Sequence, residues 1–134
     1  MHTRLGAVEL KGGFSVLLCA PDSYWDMSPA HLSRICNGCG TSHAGWLVPD
    51  TLYGMEITEA CNIHDYGYHI GETLQDKEQA DREFLNNMLR LIQKAPTSHL
   101  RLIGPVLSFL RRRRALKYYH AVSAFGGPAF WGQK

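Results

Sequence analysis

No stretch of this 134-residue chain is apolar over the ~20 residues that a helix needs to cross a bilayer. The longest candidate, residues 100–110, is interrupted by Arg101, Gly104 and Pro105, so no transmembrane helix is expected. No export signal is expected either. Phe14 to Ala20 is short for a signal's apolar segment and follows Lys11, and Leu18 before Cys19 is not the small residue a cleavage site takes. The sequence leaves localisation open between secretion and delivery by a phage particle or a dedicated secretion system. There is little excess of one charge: 14 basic and 12 acidic residues leave +2, too balanced to argue for a nucleic-acid partner. Internal repeats are absent, and low complexity is confined to Arg111–Arg114. With 45% hydrophobic and 19% charged residues the disordered class is excluded, and the length suits one domain, 1–134, acting as a monomer. Cysteine is sparse. Four of them fit either disulfides or metal and redox chemistry.

The elements that are present read in order. Leu5–Leu10 and Phe14–Cys19 flank Lys11-Gly12-Gly13, the pattern of a β-hairpin. Ser28-Pro29 opens a short helix to about Ile35. From Cys36 to Gly54 the density of Gly, Pro, Ser, Thr and Asn predicts a long loop, which in a small domain is usually functional. Thr58 or a neighbour caps a helix that Gly71 ends. Asp76 is expected to cap a second, running from Lys77 to about Lys94, with an apolar stripe of Ala80, Phe84, Leu85, Met88, Leu91 and Ile92. The short link makes these two helices antiparallel neighbours. Ser98 to Ala124 reads as a helix kinked at Gly104-Pro105, after which Phe130 and Trp131 sit on a tail.

Chemistry concentrates on the helix pair. Antiparallel packing can bring Asp81 to the His64 imidazole, and that hydrogen bond decides which ring nitrogen is free to take a proton from water. Tyr68 lies one turn beyond His64, and Asp65 points about 100° around the helix from it, toward a neighbouring loop. The glycine-rich run from Cys36 to Ser42 could offer carbonyls beside that carboxylate, an oxygen-rich set suited to Ca²⁺, and its N–H groups could serve an oxyanion.

Ala60-Cys61-Asn62-Ile63-His64-Asp65-Tyr66-Gly67-Tyr68 resembles the Cys-x-x-His-Asp-x-x-Tyr active-site helix of the phospholipases A2. Ala80-Asp81-Arg82-Glu83-Phe84 resembles the Asp-x-x-Phe of their second helix, in the style of the bacterial, fungal and parvoviral branches. Cys39-Gly40 is similar to the Cys-Gly of the family's calcium loop. The resemblance spans about 36–92, with a weaker echo in 115–126. It implies a mainly helical phospholipase A2-like fold, with two antiparallel catalytic helices, a preceding calcium loop and the small N-terminal β-hairpin. It also implies a Cys39–Cys61 disulfide, His64 as general base, Asp81 orienting it, Tyr68 bonded to Asp81, and a Gly40 N–H at the oxyanion. Asp65 with the carbonyls of Gly38, Gly40 and Ser42 would bind Ca²⁺. The implied activity is hydrolysis of the sn-2 ester of glycerophospholipids at a membrane surface. Ser42 stands where the family commonly has glycine, and the segment between loop and helix is longer here.

A different reading takes Cys36, Cys39, Cys61 and His64 as a closed structural zinc site, with the basic tail on nucleic acid. It leaves Asp65, Tyr68 and Asp81 unexplained. A third takes the helix pair as a scaffold without activity. His43, His69 and His120 read as structural or solvated, Asp50 as a turn or cap residue, and Tyr118 and Tyr119 as core or active-site wall. Leu100, Ile103, Leu107 and Leu110 beside Arg111–Arg114 either pack on the helix pair or lie in a lipid interface, with Phe130 and Trp131 as anchors.

Overall fold

Alternation along the second strand decides which face of the N-terminal hairpin is covered. Val16, Leu18 and Ala20 are buried, whereas Ser15 and Leu17 are exposed. The computed structural model describes residues 1–36, 49–95 and 103–134. In it β1 (Thr3–Leu10) pairs antiparallel with β2 (Phe14–Pro21) in the register Leu10↔Phe14 to Thr3↔Pro21, as expected. Gly12 and Gly13, at φ 94° and 83°, make the turn. The outer edge of β2 would leave Cys19 with unpaired backbone groups; the buried Asn87 amide takes both, accepting from Cys19 N–H and donating to its carbonyl, each at 2.8 Å.

Helices make up 64% of the described residues, so the molecule is mainly helical with a small hairpin. A short α1 (Asp22–Asp26), not foreseen, follows β2. In α2 (Pro29–Ile35) the Ser28 hydroxyl accepts from His31 N–H, the expected cap. At the end of the predicted loop, β3 (Thr51–Leu52) pairs with β4 (Met55–Glu56), just beyond it, in a minimal hairpin whose turn, Tyr53-Gly54, has positive φ at both residues. Residues 37–48, with Gly38, Cys39, Gly40, Ser42 and His43, lie outside the described residues, as do 96–102 with Leu100.

The central pair is α3 (Thr58–Ile70) and α4 (Leu74–Lys94). The α3 cap position is Ile57, with no side-chain bond. Asp76 is not the N-cap of α4. Thr73 is, because its hydroxyl accepts from Asp76 N–H while Asp76 accepts from Thr73 N–H, a reciprocal box that starts the helix three residues earlier. His64 stacks near Phe84 and Tyr68 near Lys77, so α3 ascends as α4 descends. Of the predicted stripe, Ala80, Phe84, Met88, Leu91 and Ile92 are buried, and Leu85 partly so. All but Ala80 share one core with Val16, Leu18, Ile63, Ala115, Tyr118 and Val122, while Ala80 joins a smaller cluster with Tyr68, Ala129 and Phe130. α5 (Ile103–Phe125) packs along the other side of α4 and runs without a break through Gly104-Pro105, where an interruption or kink was expected; both residues lie in the first turn of the described helix, where proline is tolerated. Instead of a tail, 127–131 form α6 (Gly127–Trp131), which tucks Phe130 fully into the core against Tyr68. Phe130 is therefore no membrane anchor, while Trp131 is 48% exposed.

Candidate active site

His64 and Tyr68 are one turn apart on α3 and face the same residue of α4. His64 Nε2 lies 2.8 Å from Asp81 Oδ1, and the Tyr68 hydroxyl donates to the same oxygen at 2.7 Å. All three side chains are buried, Asp81 at 1% exposure. The close approach that allows these bonds occurs at Gly67, where a Cβ would stand 3.0 Å from that of Ala80.

The remaining oxygen of Asp81 goes to a residue that the sequence reading passed over. Lys77 Nζ donates to Asp81 Oδ2 at 2.8 Å, and the lysine is 6% exposed. A lysine in a polar helix segment ordinarily reads as solvated, but its i,i+4 spacing to Asp81 was an available signal.

Burial pushes the Asp81 carboxyl up, but hydrogen bonds and charge from His64, Lys77 and Tyr68 outweigh that and hold it below the usual carboxylate range. Asp81 is thus an anion that only accepts, so the proton it shares with His64 sits on Nε2 and leaves Nδ1 as the ring's lone-pair nitrogen. Tyr68 is driven the other way, by burial first and then by Asp81, and stays a neutral donor.

Asp65 is half-buried and engaged. Burial, then the charges of Asp65 and Glu59, push the Cys36 thiol up to about 12, and Cys36, where the chain enters the glycine-rich stretch, bonds to α3 at Asn62, about one turn before Asp65. Cys36 Sγ donates to the Asn62 carbonyl at 3.2 Å, and Cys19 and Cys36 are free thiols. Cys61 is buried and engaged, and the pairing implied for it rests on Cys39, outside the described residues.

Other singled-out residues fall elsewhere. Tyr118 is core and donates to the Thr51 carbonyl, whereas Tyr119 borders a groove of about 420 Å³ that reaches Asp81 and Lys77 between α4, α5 and α6. His69 and His120 are exposed. The Asp50 carbonyl accepts from Ile57 N–H, extending the β3–β4 pairing, and among the described residues its Oδ1 is buried without a partner. Arg111 donates to the carbonyls of Leu52 and Tyr53, and Arg114 to the Tyr53 hydroxyl, so half of the arginine run braces the β3–β4 turn.

Searches against protein-family models, curated proteins and solved structures found no match.

Proposed function

We propose that the chain is a calcium-dependent esterase of the phospholipase A2 type, hydrolysing the sn-2 ester of glycerophospholipids. The observation that supports this best is the buried His64–Asp81–Tyr68 array, with one carboxylate oxygen accepting from both an imidazole and a phenol. Such an array gives a base of defined tautomer. His64 Nδ1 takes a proton from a water as the water oxygen attacks the ester carbonyl, Asp81 stabilises the imidazolium, and the proton then passes to the departing alkoxide. Tyr68 and Lys77 keep the carboxylate from turning.

The donor chemistry at Asp65 fits a hard divalent cation: a carboxylate beside the entry to a glycine-rich stretch, with the carbonyls of Gly38, Gly40 and Ser42 as the further ligands the resemblance implies. Calcium bound there supplies positive charge to polarise the ester carbonyl and to neutralise the substrate phosphate. The Gly40 N–H would assist the oxyanion. The zinc reading is less well supported, because it gives no role to Tyr68 and Asp81, which bond with His64 in one buried array.

The test is release of fatty acid from phospholipid vesicles with calcium and with a chelator. Release that needs calcium and falls by about 10³-fold or more in His64→Gln is expected. No release from the wild type leaves an inactive scaffold, and one tightly held zinc per purified chain removes the assignment of His64.

A further inference from the structure

The side-chain carboxylates of this chain end at Glu83, so the C-terminal half of α4 and the whole of α5 carry basic side chains alone. Where these two helices run side by side they border a groove of about 540 Å³. Asn86, Leu89, Arg90 and Gln93 line it from α4, and Arg112 and Leu116 from α5. Asn86, Arg90 and Gln93 recur at four and three residues, on the face of α4 turned away from its core stripe. Arg90 also borders a second cavity, of about 210 Å³, beside Val16 and Leu17 of β2 and Lys94. Its Nε is buried and has no hydrogen-bond partner among the described residues. Packing of the arginine stem against the hairpin accounts for where the side chain lies, but supplies no acceptor for that N–H. A buried donor left unmade costs stability, and a second guanidinium on the same groove adds repulsion that no lining carboxylate offsets.

We propose that this groove binds the phosphomonoester headgroup of an anionic lipid, with Arg90 and Arg112 donating to its oxygens and the Asn86 and Gln93 amides beside them. Two guanidinium groups without counter-charge match a monoester phosphate, which carries ~1.5 to 2 negative charges near neutral pH and offers three acceptor oxygens. A phosphodiester, with a single charge, matches them less well. The walls and surroundings favour a lipid over nucleic acid or a soluble phosphate ester. Leu89 and Leu116 are apolar and exposed within the groove, and Phe109, Arg112 and Leu116 recur at three and four residues, so an exposed aromatic ring continues the same face of α5. The groove lies away from the α4 face that carries Asp81, and the proposal is independent of the esterase reading.

Cosedimentation of the full chain with vesicles tests it, in the presence of EDTA so that calcium-dependent hydrolysis is off. Phosphatidylcholine vesicles carrying either phosphatidic acid or phosphatidylglycerol are blended to equal zeta potential, which leaves headgroup chemistry as the difference. Wild type should bind the phosphatidic acid vesicles about tenfold more tightly. Arg90→Gln should bring that ratio to about one. Arg113→Gln, which removes the same charge outside the groove, should weaken binding to both vesicles by about threefold and keep the ratio. Equal or absent wild-type binding overturns the proposal, as does a ratio that survives Arg90→Gln in a folded chain or is lost in Arg113→Gln. Glycerol 3-phosphate and a single-stranded oligonucleotide serve as competitors. If either displaces the phosphatidic acid vesicles at a concentration comparable to that of the lipid, the groove belongs to a soluble phosphate or to nucleic acid, and the lipid is overturned. Should Arg90→Gln not fold, Arg112→Gln, at an exposed position, is read by the same criteria. An inactive wild type with the headgroup preference ends the esterase alone, and an active wild type without it ends this proposal alone.

Discussion

Asp81 collects a phenol, an imidazole and an ammonium on two oxygens at 1% exposure, so its charge is desolvated and fully compensated. Such a group links stability to pH. Its folded-state pKa lies below the unfolded value, so its contribution is complete above about pH 4 and disappears as pH falls through the depressed folded value. Asp81→Asn keeps the shape, but leaves the Lys77 ammonium buried without its counter-charge. We expect about 3 kcal/mol of lost stability near neutral pH, narrowing toward wild type in acid, as measured by denaturant melts across pH. Turnover should fall by about 10⁴-fold, since an amide can donate to the imidazole and so select the wrong tautomer. Cys36 gives a second residue-scale prediction. With its thiol pushed from 9.0 up to about 12, its alkylation near neutral pH should run about a thousandfold slower than that of an unperturbed cysteine, and should accelerate on unfolding. Fast alkylation in the folded chain would contradict the buried, raised-pKa thiol. His64, Tyr68 and Asp81 were legible from sequence because helical spacing and a short link place them on facing sides. Lys77 was legible only in part: its i,i+4 spacing to Asp81 is visible in the sequence, but its burial depends on carbonyls of a third helix that this spacing does not place.

At the scale of elements, the distance between α3 and α4 is set where Gly67 meets Ala80, with 3.0 Å available to a Cβ. Gly67→Val adds a branched side chain there and must push the helices apart. Overpacking of this kind costs about 1–3 kcal/mol, and a shift near 1 Å between His64 and Asp81 is worth about 100-fold in rate, so activity should fall further than the melting temperature suggests. Equal activity in the folded variant would mean that the dyad does not depend on this contact. Thr73→Ala opens the box at the start of α4 and should cost about 1 kcal/mol in thermal melts with kcat nearly unchanged, since Thr73 lies about two turns before Asp81. The same helix illustrates what the sequence could resolve. Thr73 and Asp76 are both good caps three residues apart, and choosing Asp76 shortened α4 by one turn while leaving its apolar stripe correct. The elements that went unseen, α1, β3, β4 and α6, are two to five residues long, too short for periodicity to register. Tertiary bonds such as Arg111 to the Leu52 carbonyl hold them.

For the whole molecule, α5 connects two different surfaces. Its C-terminal turn meets Lys77 at Val122, while its first turns expose Ile103, Val106 and Phe109 at 47%, 57% and 58%. From Val106 to Val122 is sixteen residues, about 24 Å of helix. Arg112 and Arg113 follow the apolar turns and are exposed, whereas Arg111 and Arg114 are committed to the β3–β4 turn. An apolar helix end beside free guanidinium groups suits an anionic lipid surface, and its distance from His64 makes adsorption and chemistry separable. The double change Arg112→Glu, Arg113→Glu should therefore weaken sedimentation with anionic vesicles by about tenfold, with little effect on neutral vesicles, on the basis of about 1 kcal/mol per basic residue near the surface. Turnover of a dispersed short-chain ester, which needs no adsorption, should stay within about twofold. Changing all four arginines confounds the result, because losing the Arg111 and Arg114 bonds would release the Tyr53 turn as well. If the double variant sediments like wild type, the exposed face of α5 has another use and adsorption must be sought near Leu74, Phe125 and Trp131, the exposed apolar residues at the dyad end.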